Sequence, residues 1–355
     1  MYDLHDLINR FYNDHVRLGT PKREILAENR NVCIDRLKVG LDQLGHSNQF
    51  RKLDQGSYAM HTLNQAIQND YDIDVGLIFD AQDLPDSALN ARRQIKAGMI
   101  KGGGNFSRPP EAITNAVRVY YSAGHHIDFA IYRAYENEYG SELIEHAGSD
   151  WTVRNPNAVT DWFIEQVGCK SPIGISATVK KNQLRRVVRL LKCFARARAG
   201  ENLPGGLVIS VLGVECYVPD YTRDDISLWE TMERIYSRLL YQTEINHPSA
   251  GSPPLTNKKK YVDQVINFRN AIEEALDKIK ILRNAKCTEE EALDCMDWMF
   301  SHKYWRLAAN AKSMGLASSA GGLYIMENGV LTLKPTTEKT TLIPSHRFFG
   351  GSSND

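Results

Sequence analysis

The spacing of apolar residues changes twice within the first third of the chain. From residue 20 to about residue 44, Ile25, Cys33, Leu37, Leu41 and Leu44 recur at helical intervals, with Pro21 at the first helical position and Gly45 as the stop. This predicts a long amphipathic helix that braces two lobes. Residues 50 to 80 then read as strand, Gly-Ser turn, short helix and strand. Within them, residues 71–79 (YDIDVGLIF) alternate early and become apolar late, as in a strand buried on one face and exposed at one end.

Residues 81–116 contain a polar helix, a glycine run at 101–104 that reads as flexible, and the Pro109-Pro110 pair. A hairpin is predicted from residues 117–121 and 125–133, with Gly124 at its turn. From about Trp151 the pattern becomes helical. Segments are expected at 158–167, at 177–199 (strongly basic), and at 207–217 (apolar, behind Pro204-Gly205-Gly206). Further helices follow at about 226–241, 259–283 and 288–313, with a Pro-, Ser- and Gly-rich loop at 247–257. The tail from Gly315 is rich in Gly, Ser and Thr, with a short hairpin predicted around Glu327-Asn328-Gly329. The organisation expected is therefore a first domain at 1–150, a helical lobe at 151–314 and a partly flexible tail at 315–355.

With 355 residues and 42% hydrophobic content, the chain can fill a core in each lobe. Its 43 basic and 43 acidic side chains cancel, so a stable nucleic-acid partner is not expected and any basic site must be local. The six cysteines form no CxxC pair and no disulfide framework, which fits a reducing cytosol. Cys287, Cys295 and His302 are close in sequence but lack a recognised zinc spacing. The opening residues lack the apolar run of a signal peptide, and no stretch has the length of a membrane span. The expected location is the cytoplasm.

Chemistry concentrates where the strands are. Asp72 and Asp74, two apart on a strand, place both carboxylates on one face. Asp128 lies mid-strand in HIDFAI, where Ile127, Phe129 and Ile131 face one way and His126, Asp128 and Ala130 the other. An acid buried there needs a cation or a donor. Three such carboxylates suit two Mg²⁺ ions, or Mn²⁺, which would activate a ribose hydroxyl and neutralise departing pyrophosphate. Upstream, Gln55-Gly56-Ser57 offers close backbone approach, a hydroxyl and free N–H groups, a natural seat for a triphosphate.

The run Gln55-Gly56-Ser57, then Tyr71-Asp72-Ile73-Asp74, then residues 125–132 (HHIDFAIY) resembles the polymerase-β-type nucleotidyltransferases. More closely, it is similar to the bacterial cGAS/DncV-like nucleotidyltransferases (CD-NTases) of CBASS antiphage systems. Residues 143–163, with Trp151, Asn155-Pro156 and Trp162-Phe163, resemble the segment that leaves the core in that family. The resemblance implies an α+β, bilobal fold with a mixed sheet carrying the acids beside a helical lobe, and the active site in the cleft between.

It also implies synthesis of a cyclic di- or trinucleotide from NTPs, ATP and GTP foremost, for a downstream effector that binds the product. Asp72, Asp74 and Asp128 carry over as catalytic metal ligands, and Gly56 and Ser57 as phosphate contacts. Lys192 matches the lysine that grips the donor triphosphate. The family's polar and aromatic residues after the following proline are replaced here by Gly206 and Leu207, leaving backbone or Ser210 for that contact. A linear oligonucleotide synthase and a catalytically inactive nucleotide-binding scaffold are the alternatives. Phe348-Phe349-Gly350-Gly351 near the C-terminus suggests a conjugation or regulatory partner.

Overall fold

The computed structural model describes residues 1–65, 71–121, 124–172, 181–313, 323–325 and 331–333. The elements run α1 (His5–Phe11), α2 (Thr20–Gln43), β1 (Arg51–Asp54), α3 (Gly56–Ala59), β2 (Asp72–Asp80), α4 (Ala88–Gly102), β3 (Phe106–Ala112), β4 (Val117–Tyr121), β5 (His126–Glu136), β6 (Glu142–Ala147) and β7 (Trp151–Val153). Then come α5 (Ala158–Lys170), α6 (Gln183–Arg196), α7 (Gly206–Glu215), α8 (Asp224–Tyr241), α9 (Lys259–Ile279), α10 (Glu289–Phe300), α11 (Lys303–Ser313), β8 (Leu323–Ile325) and β9 (Leu331–Leu333).

Strands β1 to β7 form one mixed sheet with β5 at its centre. β2 runs parallel to β5 along one edge, while β4 and then β6 pair antiparallel with it along the other. Alternation sorts the two faces. Ile73, Val75, Leu77 and Phe79 of β2, with Ile127, Phe129 and Ile131 of β5, enter a core closed by α2 and α4. Asp72, Asp74 and Asp128 project from the opposite face.

Helix α2 begins with proline in its first turn and ends before Gly45, whose φ of +72° reverses the chain. Cys33, Leu37 and Leu41 are fully buried as expected, but Ile25 and Leu44 are exposed, and Leu26 and Ile34 take the inner positions. The helix packs on α4 within the sheet's own core. Residues 1–16, expected in the first domain, instead send Leu4, Ile8, Phe11, Tyr12 and Val16 into the helical lobe, whose core also takes α5 to α10.

The glycine run also differs from its reading. Gly102 ends α4 against α2, where a Cβ would come within 1.9 Å of the Arg36 carbonyl oxygen. Pro109 and Pro110 lie in β3, an edge strand with register shifts, where a missing N–H is tolerated. The single helix expected over 288–313 is two, broken at Ser301 by a left-handed φ of +45°. In the tail, β8 and β9 pair antiparallel, while the expected turn at residues 327–329 lies outside the described residues. The N-terminal part of the basic 177–199 helix, including Lys180, and the segment 348–351 lie outside the described residues. Among the described residues, no helix is long and apolar enough to cross a membrane.

Candidate active site between the sheet and the helical lobe

Parallel pairing of β2 and β5 puts Asp72 opposite His126 and Asp74 opposite Asp128. Two residues of strand spacing and one of sheet spacing thus bring three carboxylates into one cluster. Antiparallel β4 adds Arg118, directly across from Asp128. Arg118 donates Nε–H to Asp128 Oδ1 at 2.6 Å and Nη2–H to Oδ2 at 2.5 Å, a bidentate pair. His126 Nε2 lies 3.2 Å from Asp72 Oδ1. The sequence placed His126 on the face of Asp128 without a role and missed Arg118, which joins that face only once the hairpin register is known.

The electrostatics favour a cation. Burial, then the charges of Asp72 and Asp128, push the Asp74 carboxyl up to about 7, against the partial relief that Arg118 and His126 give. One oxygen each from Asp72 and Asp128 and a ring nitrogen of His126 lie within 4.8 Å of one another. Each Asp128 oxygen accepts one N–H from Arg118 and keeps a second lone pair. This oxygen-rich donor set fits Mg²⁺ or Mn²⁺.

Gly56 is fixed by this cluster. A Cβ there would fall 1.8 Å from Asp74 Oδ2, and its φ is +60°. Only glycine meets both demands. Gln55 precedes it with a positioning role: its backbone N–H donates to the Asp74 carbonyl at 3.0 Å, and its side-chain amide donates to the Tyr132 hydroxyl at 3.0 Å and the Pro156 carbonyl at 2.8 Å. The chain entering the second lobe is thereby tied to the acid strand. Ser57 faces the open space above the acids.

Across the cleft, α6 supplies Lys192. Its ammonium donates to Thr62 Oγ1 at 2.9 Å, and burial, followed by the nearby charges of Arg189 and Arg196, lowers its pKa to about 7. Gly206 lies against it: a Cβ there would make ordinary contact with Lys192, 3.5 Å from Nζ. Ser210 is not brought to the site. It is fully buried, and its hydroxyl donates to the Gly206 carbonyl at 2.7 Å, one turn back in α7.

A cavity of about 580 Å³ joins the lobes over these groups. The sheet side gives Gly56, Ser57, Asp72 and Asp74, and the helical side gives Arg154, Val159, Lys192, Leu207 and His247. A second cavity of about 440 Å³ shares Ser57, Asp72 and Lys192 and continues past His126 toward Asn64 and Arg196. Two ligand-sized spaces therefore meet at the acids.

Residues 50–132 match the family described as "Cyclic GMP-AMP synthase DncV-like, nucleotidyltransferase domain". Over those residues the chain is similar to a DncV-like nucleotidyltransferase domain. The whole fold agrees. The Vibrio cholerae DncV cyclic AMP-GMP synthase, solved with the linear intermediate 5′ pppA(3′,5′)pG, superposes with a TM-score of 0.68 at 15% identity, covering 86% of this chain and 98% of that one. E. coli MS115-1 CdnC solved with ATP gives 0.62 at 18% identity, covering 84% and 98%. CdnC has also been solved in a HORMA complex, which superposes with a TM-score of 0.62 at 18% identity over 83% and 96%. The α+β, bilobal architecture with a helical lobe is thus shared from end to end of those chains, and the nucleotidyltransferase domain marks this one as an enzyme.

Proposed function

We propose that this enzyme joins nucleoside triphosphates into a cyclic di- or trinucleotide and releases pyrophosphate at each bond. The observation that carries the reading is the placement of Asp72, Asp74 and Asp128 on adjacent strands, under a cavity whose far wall holds Lys192. Two divalent ions bound by these acids would lower the pKa of the attacking hydroxyl and neutralise the phosphates.

The chain's own residues do the remainder. Gly56 lets the backbone approach the triphosphate, and Ser57 offers it a hydroxyl. Lys192, held near neutrality by burial, gains its proton as phosphate charge arrives opposite it. A ribose oxygen attacks the α-phosphorus, the bond to the bridging oxygen breaks so that pyrophosphate leaves, and the hydroxyl proton passes to a carboxylate oxygen of the acid cluster. Arg118 holds the plane of the Asp128 carboxylate throughout.

The paired cavities favour a synthase over an inactive scaffold, since a scaffold has no use for an acid trio beneath two adjoining spaces. The structures of CdnC with ATP, of DncV with nonhydrolyzable GTP and of CdnC with a HORMA protein supply the analogy for ATP and GTP as substrates and for a HORMA-type partner. Use of the product by an effector in antiphage defence is part of the proposal, from the sequence resemblance. Purified protein incubated with four radiolabelled NTPs and Mg²⁺ or Mn²⁺ should yield a phosphatase-resistant product. Asp72→Ala and Asp74→Ala should each remove it. A product whose mobility shifts on phosphatase treatment, because it carries terminal phosphates, would mean linear synthesis, and no product with any metal, with or without phage lysate, would defeat the reading.

A further inference from the structure

If the acids and Lys192 take the phosphates, the base must fall against the helical-lobe walls of the same cavity. Those walls are apolar at Val159 and Leu207, which suits the faces of a planar ring. Their polar groups include Arg154, Asn155 and Thr160 and, from the loop between α8 and α9, His247, Ser249 and Ser252. This loop is shut at its base. Leu255 N–H donates to the Ile245 carbonyl at 2.8 Å, Ile245 N–H donates to Thr256 Oγ1 at 2.9 Å, and Ile245 is fully buried.

Inside the loop, the Ser249 N–H donates to His247 Nδ1 at 3.0 Å. That bond occupies the acceptor nitrogen and fixes the tautomer, leaving the proton on Nε2. Burial, and then the charge of Arg154, lower the pKa of His247 and keep its ring neutral, so the ring offers one donor and no second acceptor.

We propose that His247 is a specificity-determining residue: its Nε2–H donates to an acceptor on the edge of the nucleobase seated between Val159 and Leu207, with Ser249 and Ser252 completing the polar edge. The inference rests on the nucleotidyltransferase reading and deepens it. A donor held by its own loop discriminates among bases because the wrong edge leaves it unpaired.

The test measures equilibrium binding of ATP, GTP, CTP and UTP, and of inorganic tripolyphosphate, to the full chain with Ca²⁺ in place of Mg²⁺ to hold back turnover. Wild-type protein should favour one NTP. His247→Ala should reduce that preference by about tenfold, within the range a single base contact supplies. His247→Gln, which keeps an amide donor near the position of Nε2, should recover most of it. Tripolyphosphate affinity should be the same in all three, because it touches only the acid and lysine end. Equal wild-type affinity for the four NTPs, or a preference that survives His247→Ala, overturns the inference while leaving the nucleotide site intact. Failure of the wild-type chain to bind any NTP or tripolyphosphate overturns the nucleotidyltransferase reading and this inference with it.

Discussion

Asp74 sits between two other carboxylates with little water to screen them, and it answers by holding its proton to a pH of about 7 rather than 3.8. The folded chain therefore keeps one proton more than the unfolded chain between those values. Folding stability from this group must then fall as pH rises from about 4 to 7, and stay at its lower level above that. At about 1.4 kcal/mol per pH unit, the loss is on the order of 4 kcal/mol, an upper figure for a group coupled to its neighbours. In EDTA, Asp74→Asn should gain on wild type steadily across this window in urea titrations, and Mg²⁺ should restore wild type at pH 8 but not at pH 5. A difference between the two proteins that ignores pH would remove the charge crowding from the account. The same crowding explains why the resting site tolerates its acids at all: Arg118 and His126 partly neutralise them until cations arrive.

At the scale of elements, the crossing of α2 and α4 depends on missing side chains. A Cβ at Gly40 would lie 1.9 Å from the Gly98 carbonyl oxygen and 2.5 Å from the Gly102 nitrogen, all backbone. Gly40→Ala gains about 1 kcal/mol of helix propensity but overpacks a rigid contact, so a net destabilisation of about 2 kcal/mol is expected. Gly168→Ala in α5 meets open space and should stabilise slightly, which makes the pair a test of packing against propensity by thermal melts. If both substitutions stabilise, the helices do not cross as closely as described.

These glycines also show why the sequence was legible only in part. The strand carrying Asp72 and Asp74 and the hairpin carrying Asp128 could be read from alternation, because that signal is local. The tightness at Gly40, Gly98 and Gly102 could not be read, because a glycine looks the same in sequence whether it bends freely or admits another helix. Arg118 was hidden for a related reason: its partner, Asp128, is set by strand register. Ser210 was misplaced because helical phase, not proximity in sequence to Gly206, decides which way its hydroxyl turns.

On the scale of the whole molecule, the chain begins in the helical lobe, crosses to build the sheet, and crosses back after β7. The cleft is therefore spanned by two connections, one before α2 and one before α5, and its N-terminal wall depends on how firmly residues 1–16 are held. Phe11 is the anchor. It is fully buried, with its ring centroid 4.8 Å from that of Trp305, 5.1 Å from that of Phe300 and 5.3 Å from that of His302. Leu4 reinforces it by donating its N–H to the buried Asp225, which also pairs with Arg223. Truncating Phe11 to Ala should cost about 3–5 kcal/mol in the helical lobe. The sheet has a separate hydrophobic cluster, so the loss should be local. Hydrogen exchange is expected to speed up in α8, α10 and α11 while β2 and β5 keep their protection. If the strands lose protection to the same degree, the two cores unfold as one cooperative body, and the cleft is held by the interface itself rather than by the chain that crosses it twice.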